Sequence, residues 1–398
     1  MELTSLKKIN KACETRREEI KHERLSGRKV VGYFCNFMPV EIIYALDLIP
    51  LRLSSCSDLC LEHGKVYFNE NMCPFTRATI GEFMEKGSFY LENVDLIAGT
   101  IMCMQAHAAI TVLEKYTKKP ALFLGYPLNP PGPAEEEYFT AEVEYFAREL
   151  EKFSNKKLTN DSLRSSIEIY NEIRGSLMEI YQFQAQGSSA LEWSHMFSFN
   201  SASSALNPDV YLCLLKELLK ELLKEREGAR PQKEDQSPRI MITGSTIVPG
   251  DLKLIRTIED LGGKIVADDL CTGLRTFQGL TVDNPSLKGL AHVYLHGGIP
   301  CAALQNPSLA DDRRINNMLQ LIQQYKVDGV VYYNLRFCDN YRFRVDETKK
   351  ILKQKMDIPL LSIDTEYGDS DLEQIEIMVK AFIEMLKERQ KMVSTFTA

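Results

Sequence analysis

Val94–Gly125 reads VDLIAGTIMCMQAHAAITVLEKYTKKPALFLG, and its pattern decides the architecture. Asp95 to Thr100 is an apolar run of strand length, Gln105 to Tyr116 is a helical stretch, and Ala121 to Gly125 is a second apolar run ahead of Tyr126-Pro127. Strand, helix and strand in succession predict a parallel sheet covered on both faces. The plan recurs near the other end of the chain, where Val327-Asp328-Gly329-Val330 leads to Cys338, a helix and Ile358-Pro359-Leu360-Leu361. In each copy a cysteine, Cys103 or Cys338, stands just beyond the carboxyl end of a strand, where open α/β sheets collect their ligands.

Working outward, Lys29 to Phe34 and Ile49 to Leu53 read as further strands, with helices at Pro39 to Leu48 and Thr76 to Lys86. From Glu135 to about Glu227 the chain changes to long amphipathic helices, broken around Gly187 to Pro208. The stretch Gly228 to Pro238, GARPQKEDQSP, reads as a linker. Strands return at Arg239 to Thr243, Lys264 to Ala267, Val327 to Tyr332 and Pro359 to Ile363, and a helix at Leu372 to Leu386 closes the chain. The expected fold class is therefore α/β, with parallel-sheet domains at residues 1–134 and 238–398 and a helical segment at 135–237 between them.

Composition narrows the function. A chain of 398 residues with 44% hydrophobic and 26% charged residues is an ordinary globular protein of two or three domains. The N-terminal MELTSLKKINKACETRREEI carries no apolar h-region, and no run of about 18 apolar residues could cross a membrane, so no membrane association and a cytoplasmic location are expected. A net charge of -7 without a basic stripe argues against nucleic acid as a partner. The Lys216 to Arg226 stretch alternates in sign around Leu218, Leu219, Leu222 and Leu223, as a solvated helix face does.

Six of the ten cysteines form two trios, Cys35, Cys73, Cys103 and Cys271, Cys301, Cys338, with separations of 38 and 30 and then 30 and 37 residues. Such spacing suits one cofactor held between two similar halves, because iron–sulfur sites need thiolates but not the tight ferredoxin spacing. Duller readings compete. A single buried cysteine is usually a small hydrophobe, and Cys13 and Cys213 are read that way, Cys213 within an apolar helix face beside Leu212, Leu214 and Leu215. A structural zinc favours close Cys pairs, and only Cys56 and Cys60 offer one. A nucleophilic cysteine would need a histidine partner, for which His107 and His296 are candidates. The turn Gly244 to Gly250 lacks the following GKS/T of a nucleotide loop and reads as a tight strand–helix turn.

The segments GYFCNFMPVEIIYALDLIPLRL, NMCPFTRATIGEFM, DLIAGTIMC and IPLLSIDTEY…AFIEML resemble the 2-hydroxyacyl-CoA dehydratase and benzoyl-CoA reductase family from about Arg28 to Leu386. Within that family the six cysteines are most similar to the double-cubane cluster proteins. The resemblance implies two Rossmann-like domains facing each other across a cluster-binding cleft. It implies that Cys73, Cys103 and Cys338 hold one [4Fe-4S] cubane and that Cys35, Cys271 and Cys301 hold a second, joined by sulfide into an [8Fe-9S] unit. Met378 and Val379 stand where an arginine is expected in the family, and Cys56 lies near a position that is cysteine in some relatives.

The activity so implied is an ATP-activated, low-potential reduction of a small-molecule substrate. The implied partners are a second copy of the chain in a homodimer and, transiently, a separate homodimeric [4Fe-4S] ATPase activator. The first alternative is a subunit of a 2-hydroxyacyl-CoA dehydratase holding one [4Fe-4S] cluster, a lyase working through a radical. The second is a non-catalytic electron carrier. Proton donors are sought among Asn36, Glu41, Arg77, Gln105, His107, Arg336 and Asp339, with Arg77 and Arg336 expected to pair with carboxylates. His107 is the candidate catalytic proton donor, because imidazole titrates near neutral pH.

Overall fold

The structure is a computed structural model that describes residues 3–185, 191–228, 236–304 and 312–397. Apolar runs bounded by turn residues form eight strands among the described residues: β1 (Val30–Tyr33), β2 (Ile49–Arg52), β3 (Leu96–Ile101), β4 (Ala121–Gly125), β5 (Arg239–Gly244), β6 (Lys264–Asp268), β7 (Gly329–Leu335) and β8 (Leu360–Thr365). They build two four-stranded sheets, ordered β2-β1-β3-β4 and β6-β5-β7-β8. Every pairing is parallel. The two halves therefore repeat one Rossmann-like topology, and in each the strand order reverses beside the first strand, between β1 and β3 or between β5 and β7.

The first half carries α1 (Thr4–Leu25), α2 (Val40–Ala45), α3 (Asp58–Gly64), α4 (Pro74–Met84), α5 (Phe89–Asn93) and α6 (Met104–Thr117). Four helices follow: α7 (Pro133–Ser154), α8 (Asn160–Ala185), α9 (Trp193–Ala202) and α10 (Pro208–Gly228). The second half adds α11 (Lys253–Asp260), α12 (Leu287–His296), α13 (Arg313–Gln324), α14 (Asp339–Arg342), α15 (Val345–Met356) and α16 (Leu372–Thr397). The break expected around Gly187 to Pro208 thus contains α9. Most of the linker expected at Gly228 to Pro238 lies outside the described residues.

Both sheet faces are covered, which is why β1 and β7 are buried along their whole length. Alternate residues feed different cores. Val30 and Ile97 join one apolar cluster that runs on through α8, α9 and α10 to Ile240 and Val330 of the second sheet. Val31, Leu96 and Ala98 join another, formed with α7, α8 and α12. Buried polar groups tie the same pieces: Arg174 of α8 pairs with Glu41 of α2 at 2.6 Å, and the Tyr294 hydroxyl of α12 donates to Glu41 at 2.9 Å. An ion pair so deep is held by its added hydrogen bonds, here including Arg174 to the Leu280 carbonyl at 2.8 Å. Close approach fixes α4 as well, since a Cβ on Gly81 would stand 1.8 Å from the Cys60 carbonyl oxygen of α3.

Candidate functional site

The carboxyl ends of the two sheets carry the cysteines. Cys35 follows β1, Cys103 follows β3, Cys271 follows β6 and Cys338 follows β7, while Cys73 immediately precedes α4 and Cys301 lies in the loop after α12. Cys73, Cys103 and Cys338 each occupy the residue before a helix, where backbone N–H groups lack intrahelical partners and favour a thiolate. The N–H groups of Ala106 and Gln105 favour a thiolate at Cys103, and that of Tyr341 one at Cys338.

The six thiols form one connected group made of two trios that cross between the halves. Cys338 interacts most strongly with Cys73, and Cys103 is within electrostatic range of Cys338. Cys35 is in range of Cys271 and Cys301, and Cys301 of Cys271. Cys301 joins the trios through Cys338 and Cys103. Burial pushes the Cys35 thiol up to about 11 and Cys103 up to about 12. Cys338 is raised first by its Cys73 partner and then by burial. Thiols so disposed need a positive group to become thiolates.

That cation is at hand in part. Arg275, 1% exposed, follows Cys271 on the loop beyond β6 and is in electrostatic range of both Cys271 and Cys301. Its Nη1 donates to the Tyr341 hydroxyl, and its Nη2 faces Asp269 at 3.8 Å, too far for a hydrogen bond. Nε and Nη2 are buried without a hydrogen-bond partner. Arg52 adds a second guanidinium, whose Nη1 donates to the Cys271 carbonyl at 2.8 Å and whose Nη2 lies 3.4 Å from the Cys271 sulfur. Arg52 falls within the segment GYFCNFMPVEIIYALDLIPLRL without standing out there, and no motif marked Arg275.

Polar side chains hold the cysteine-bearing loops. Gln105 Oε1 accepts from the Cys73 N–H while its Nε2 donates to the Phe337 carbonyl at 2.8 Å, so one amide ties the segments of Cys73, Cys103 and Cys338. Thr246 Oγ1 lies 3.1 Å from the Cys271 sulfur. The Ser245 hydroxyl favours a thiolate at Cys338, and its oxygen accepts from the Leu335 N–H at 3.1 Å. The Gly244 to Gly250 turn is thus engaged with the cysteines. Gly244 allows it, having φ +122 and a Tyr333 carbonyl oxygen 2.0 Å from where a Cβ would stand.

Other candidates sit elsewhere. The His107 ring, one turn into α6, packs on Phe123 of β4 with centroids 4.7 Å apart. Glu41 is taken by Arg174, and Asn36 Nδ2 donates to the Arg275 carbonyl at 3.2 Å. Arg77 and Arg336 both face Glu366, at 2.6 and 3.7 Å, on the wall of a cavity of about 430 Å³ beside the Cys338 segment. Asp339 is the first residue of α14. Cys56 turns to the Pro249 carbonyl at 3.4 Å, among Asp251, Glu82 and Asp58. Cys213 is exposed on α10, not enclosed by the neighbouring leucines as expected, because Leu212 and Leu215 take the buried side of the helix.

These residues suit an anionic metal–sulfide group better than one ion. A tetrahedral zinc needs sulfur atoms roughly 3.7 Å apart. Among the described residues the one group of three His, Cys, Asp or Glu ligand atoms mutually within 4.8 Å is Glu136, His292 and His296, so no cysteine trio is that compact. The unpartnered Arg275 nitrogens and the helix-capping positions offer the positive environment that a multi-iron anion requires.

Known proteins agree on the class. A family model described as 2-hydroxyglutaryl-CoA dehydratase, D-component, matches residues 35–386. The chain is 27% identical over 362 residues to an Escherichia coli (strain K12) protein provisionally named as part of a dehydratase, with 90% of this chain and 92% of that one covered. It is 26% identical to one of the benzoyl-CoA reductase subunits of Thauera aromatica, with 79% of each chain covered. It is 22% identical to the beta subunit of (R)-2-hydroxyglutaryl-CoA dehydratase of Acidaminococcus fermentans, with 91% and 94% covered. The chain belongs to the 2-hydroxyacyl-CoA dehydratase and benzoyl-CoA reductase family, a family of dehydratase and reductase enzyme subunits. Among the described residues no helix is long and apolar enough to cross a membrane.

Proposed function

We propose that the chain is a cytoplasmic, ATP-activated reductase that delivers low-potential electrons to a small-molecule substrate from an [8Fe-9S] double-cubane cluster. Cys73, Cys103 and Cys338 would hold one cubane, and Cys35, Cys271 and Cys301 the other. The observation that carries this reading is the connected group of six thiols in two trios, Cys73 buried and the other five half-buried. When bound, such a group supplies one-electron reduction at low potential. The residues of this chain supply the rest: helix-capping N–H groups and the Arg275 and Arg52 guanidinium groups offset charge, Gln105 fixes three ligand segments, and Tyr341, Thr246 and Ser245 orient the neighbouring side chains. His107 is retained as a proton donor to be tested.

The partners we propose are a second copy of the chain, since each chain carries both trios, and a separate homodimeric [4Fe-4S] ATPase that reduces it transiently. The need for ATP is energetic, because each 59 mV gained in a one-electron step costs about 1.4 kcal/mol. A second reading, a single-[4Fe-4S] dehydratase subunit, is favoured by the names of the relatives. Iron and acid-labile sulfide analysis of anaerobically purified protein decides between them. About eight irons and nine sulfides per chain support the first reading, about four irons support the second, and zinc without iron excludes both. Substrate turnover that needs the reduced activator and hydrolysable ATP separates either from a passive electron carrier.

A further inference from the structure

Away from the cysteines, a helix of the intervening segment and a helix of the second half bring three metal-ligating side chains together. His292 and His296 stand four residues apart on α12, one turn above the other on the same face. Their rings lie 4.7 Å apart between centroids. Glu136, in the first turn of α7, faces both: its Oε1 is 3.0 Å from His292 Nδ1, and its Oε2 is 3.6 Å from His296 Nε2. A tetrahedral ion bound at about 2.0–2.1 Å would hold its nitrogen and oxygen ligands roughly 3.3 Å apart. The two observed separations bracket that value. His296 Nε2 is shielded from solvent, and its nearest polar neighbour, Glu136 Oε2 at 3.6 Å, is too far for a good hydrogen bond, so the nitrogen is open to a ligand.

We propose that Glu136, His292 and His296 form a binding site for a divalent transition-metal ion of the zinc type. Two imidazoles and one carboxylate make the borderline donor set that zinc and its first-row neighbours take, with water completing the shell at this partly exposed position. The ion would act as a clamp. Glu136 lies at the start of α7, which follows the first half, while α12 belongs to the second half and ends at His296, five residues before Cys301. Arg313 already grips this end through the carbonyls of Leu295, His296 and Gly298. A metal bridge from Glu136 would fix the same turn to α7, and with it the start of the Gly297-Gly298-Ile299-Pro300 lead into Cys301. The site is independent of what the cysteines bind.

The test compares the full chain as wild type, His292→Ala and Glu136→Gln, all retaining the ten cysteines, so that thiol-bound metal contributes equally. After chelation and equilibration with Zn²⁺, the wild type should hold about one zinc more per chain than either variant. With Co²⁺, the wild-type-minus-variant spectrum should contain the weak bands of nitrogen- and oxygen-bound cobalt and no thiolate charge-transfer band. Zn²⁺ should slow amide hydrogen exchange over residues 297–301 more in the wild type than in either variant. Equal zinc in all three proteins, or a thiolate band in the difference spectrum, overturns the site. An extra zinc that leaves exchange at 297–301 unchanged overturns the clamp.

Discussion

Arg275 holds two roles that substitution can separate. Arg275→Met leaves the Asp269 carboxylate 0% exposed, with both oxygens lacking hydrogen-bond partners and the guanidinium gone from 3.8 Å away. At an effective dielectric of about 20, unit charges at that distance attract by roughly 4 kcal/mol. Breaking a buried pair by removing one member costs a similar amount, about 3–5 kcal/mol. R275M should therefore lose that much stability in urea denaturation, and R275M/D269N should recover most of it, because no lone charge remains. The second role is electrical. Arg275 is in electrostatic range of Cys271 and Cys301, and a cluster held there becomes more negative on reduction, so a fixed cation favours the reduced form. An attraction of about 1–2 kcal/mol, appropriate to charges some 8–16 Å apart in that dielectric, corresponds to about 40–90 mV in a one-electron step. Asp269→Asn alone raises the potential, so the guanidinium is isolated by comparing R275M/D269N with D269N in an anaerobic redox titration. The double variant should titrate at the lower potential by that margin. Equal potentials would refute the coupling, and an R275M chain as stable as wild type would refute the ion pair.

Gln105→Ala removes hydrogen bonds to Cys73 and Phe337, worth about 1 kcal/mol each. Iron should leave this variant faster under a chelator while the helix content stays as in wild type; unchanged release would show that the amide does not brace the ligand loops. Cys35→Ser should halve the iron content, whereas Cys56→Ser and Cys213→Ser should keep it, and the reverse outcome for Cys35 and Cys56 would reassign that ligand. Burial pushes the Asp268 carboxyl from 3.8 up to about 6. The folded chain thus holds this proton more tightly than the unfolded chain, so the stability it contributes below pH 4 is lost as pH rises to about 6, by roughly 3 kcal/mol. Asp268→Asn should flatten that part of the stability–pH profile, and parallel profiles for the two proteins would exclude the assignment.

What was legible in the chain follows from how each feature is held. β4 occupies Ala121–Gly125, the run read from the sequence, since a strand buried between two helical layers has to be apolar throughout and Pro120 and Tyr126-Pro127 punctuate it. The closing helix, read to Leu386, continues to Thr397 because nothing in its sequence stops it. The helix Thr4–Leu25 went unread for the opposite reason. Half of its 22 residues are charged, with a stripe of Leu6, Ile9 and Ile20 buried, and Glu221 of α10, accepting from the N–H groups of Thr4 and Ser5, holds its start. Periodicity cannot report a helix anchored by a partner more than 200 residues away.

The cysteines stood out because six chemically uncommon residues repeat at strand ends, yet their spacing could not reveal which thiol meets which. That depends on how two sheets face each other, and the electrostatic links run from Cys73 and Cys103 across to Cys338, and from Cys35 across to Cys271 and Cys301. The charges around them were harder still to read. An arginine in a sequence reads as surface, and Arg275 is buried only because Tyr341 and Asp269 receive it there. His107 shows the converse: four residues past a candidate ligand looks near in sequence, but on a helix that begins at the ligand the backbone N–H groups turn toward the sulfur while the fourth side chain lies against Phe123. Glu136, His292 and His296 follow the same logic, since 156 residues separate Glu136 from His292 and only the packing of α7 on α12 makes them neighbours. In this chain the residues that could bind metal come from separate segments, so each candidate site depends on those segments staying docked. Loss of iron and loss of zinc should therefore both follow from any substitution, such as Glu41→Ala, that unfastens α2, α8 and α12 from one another.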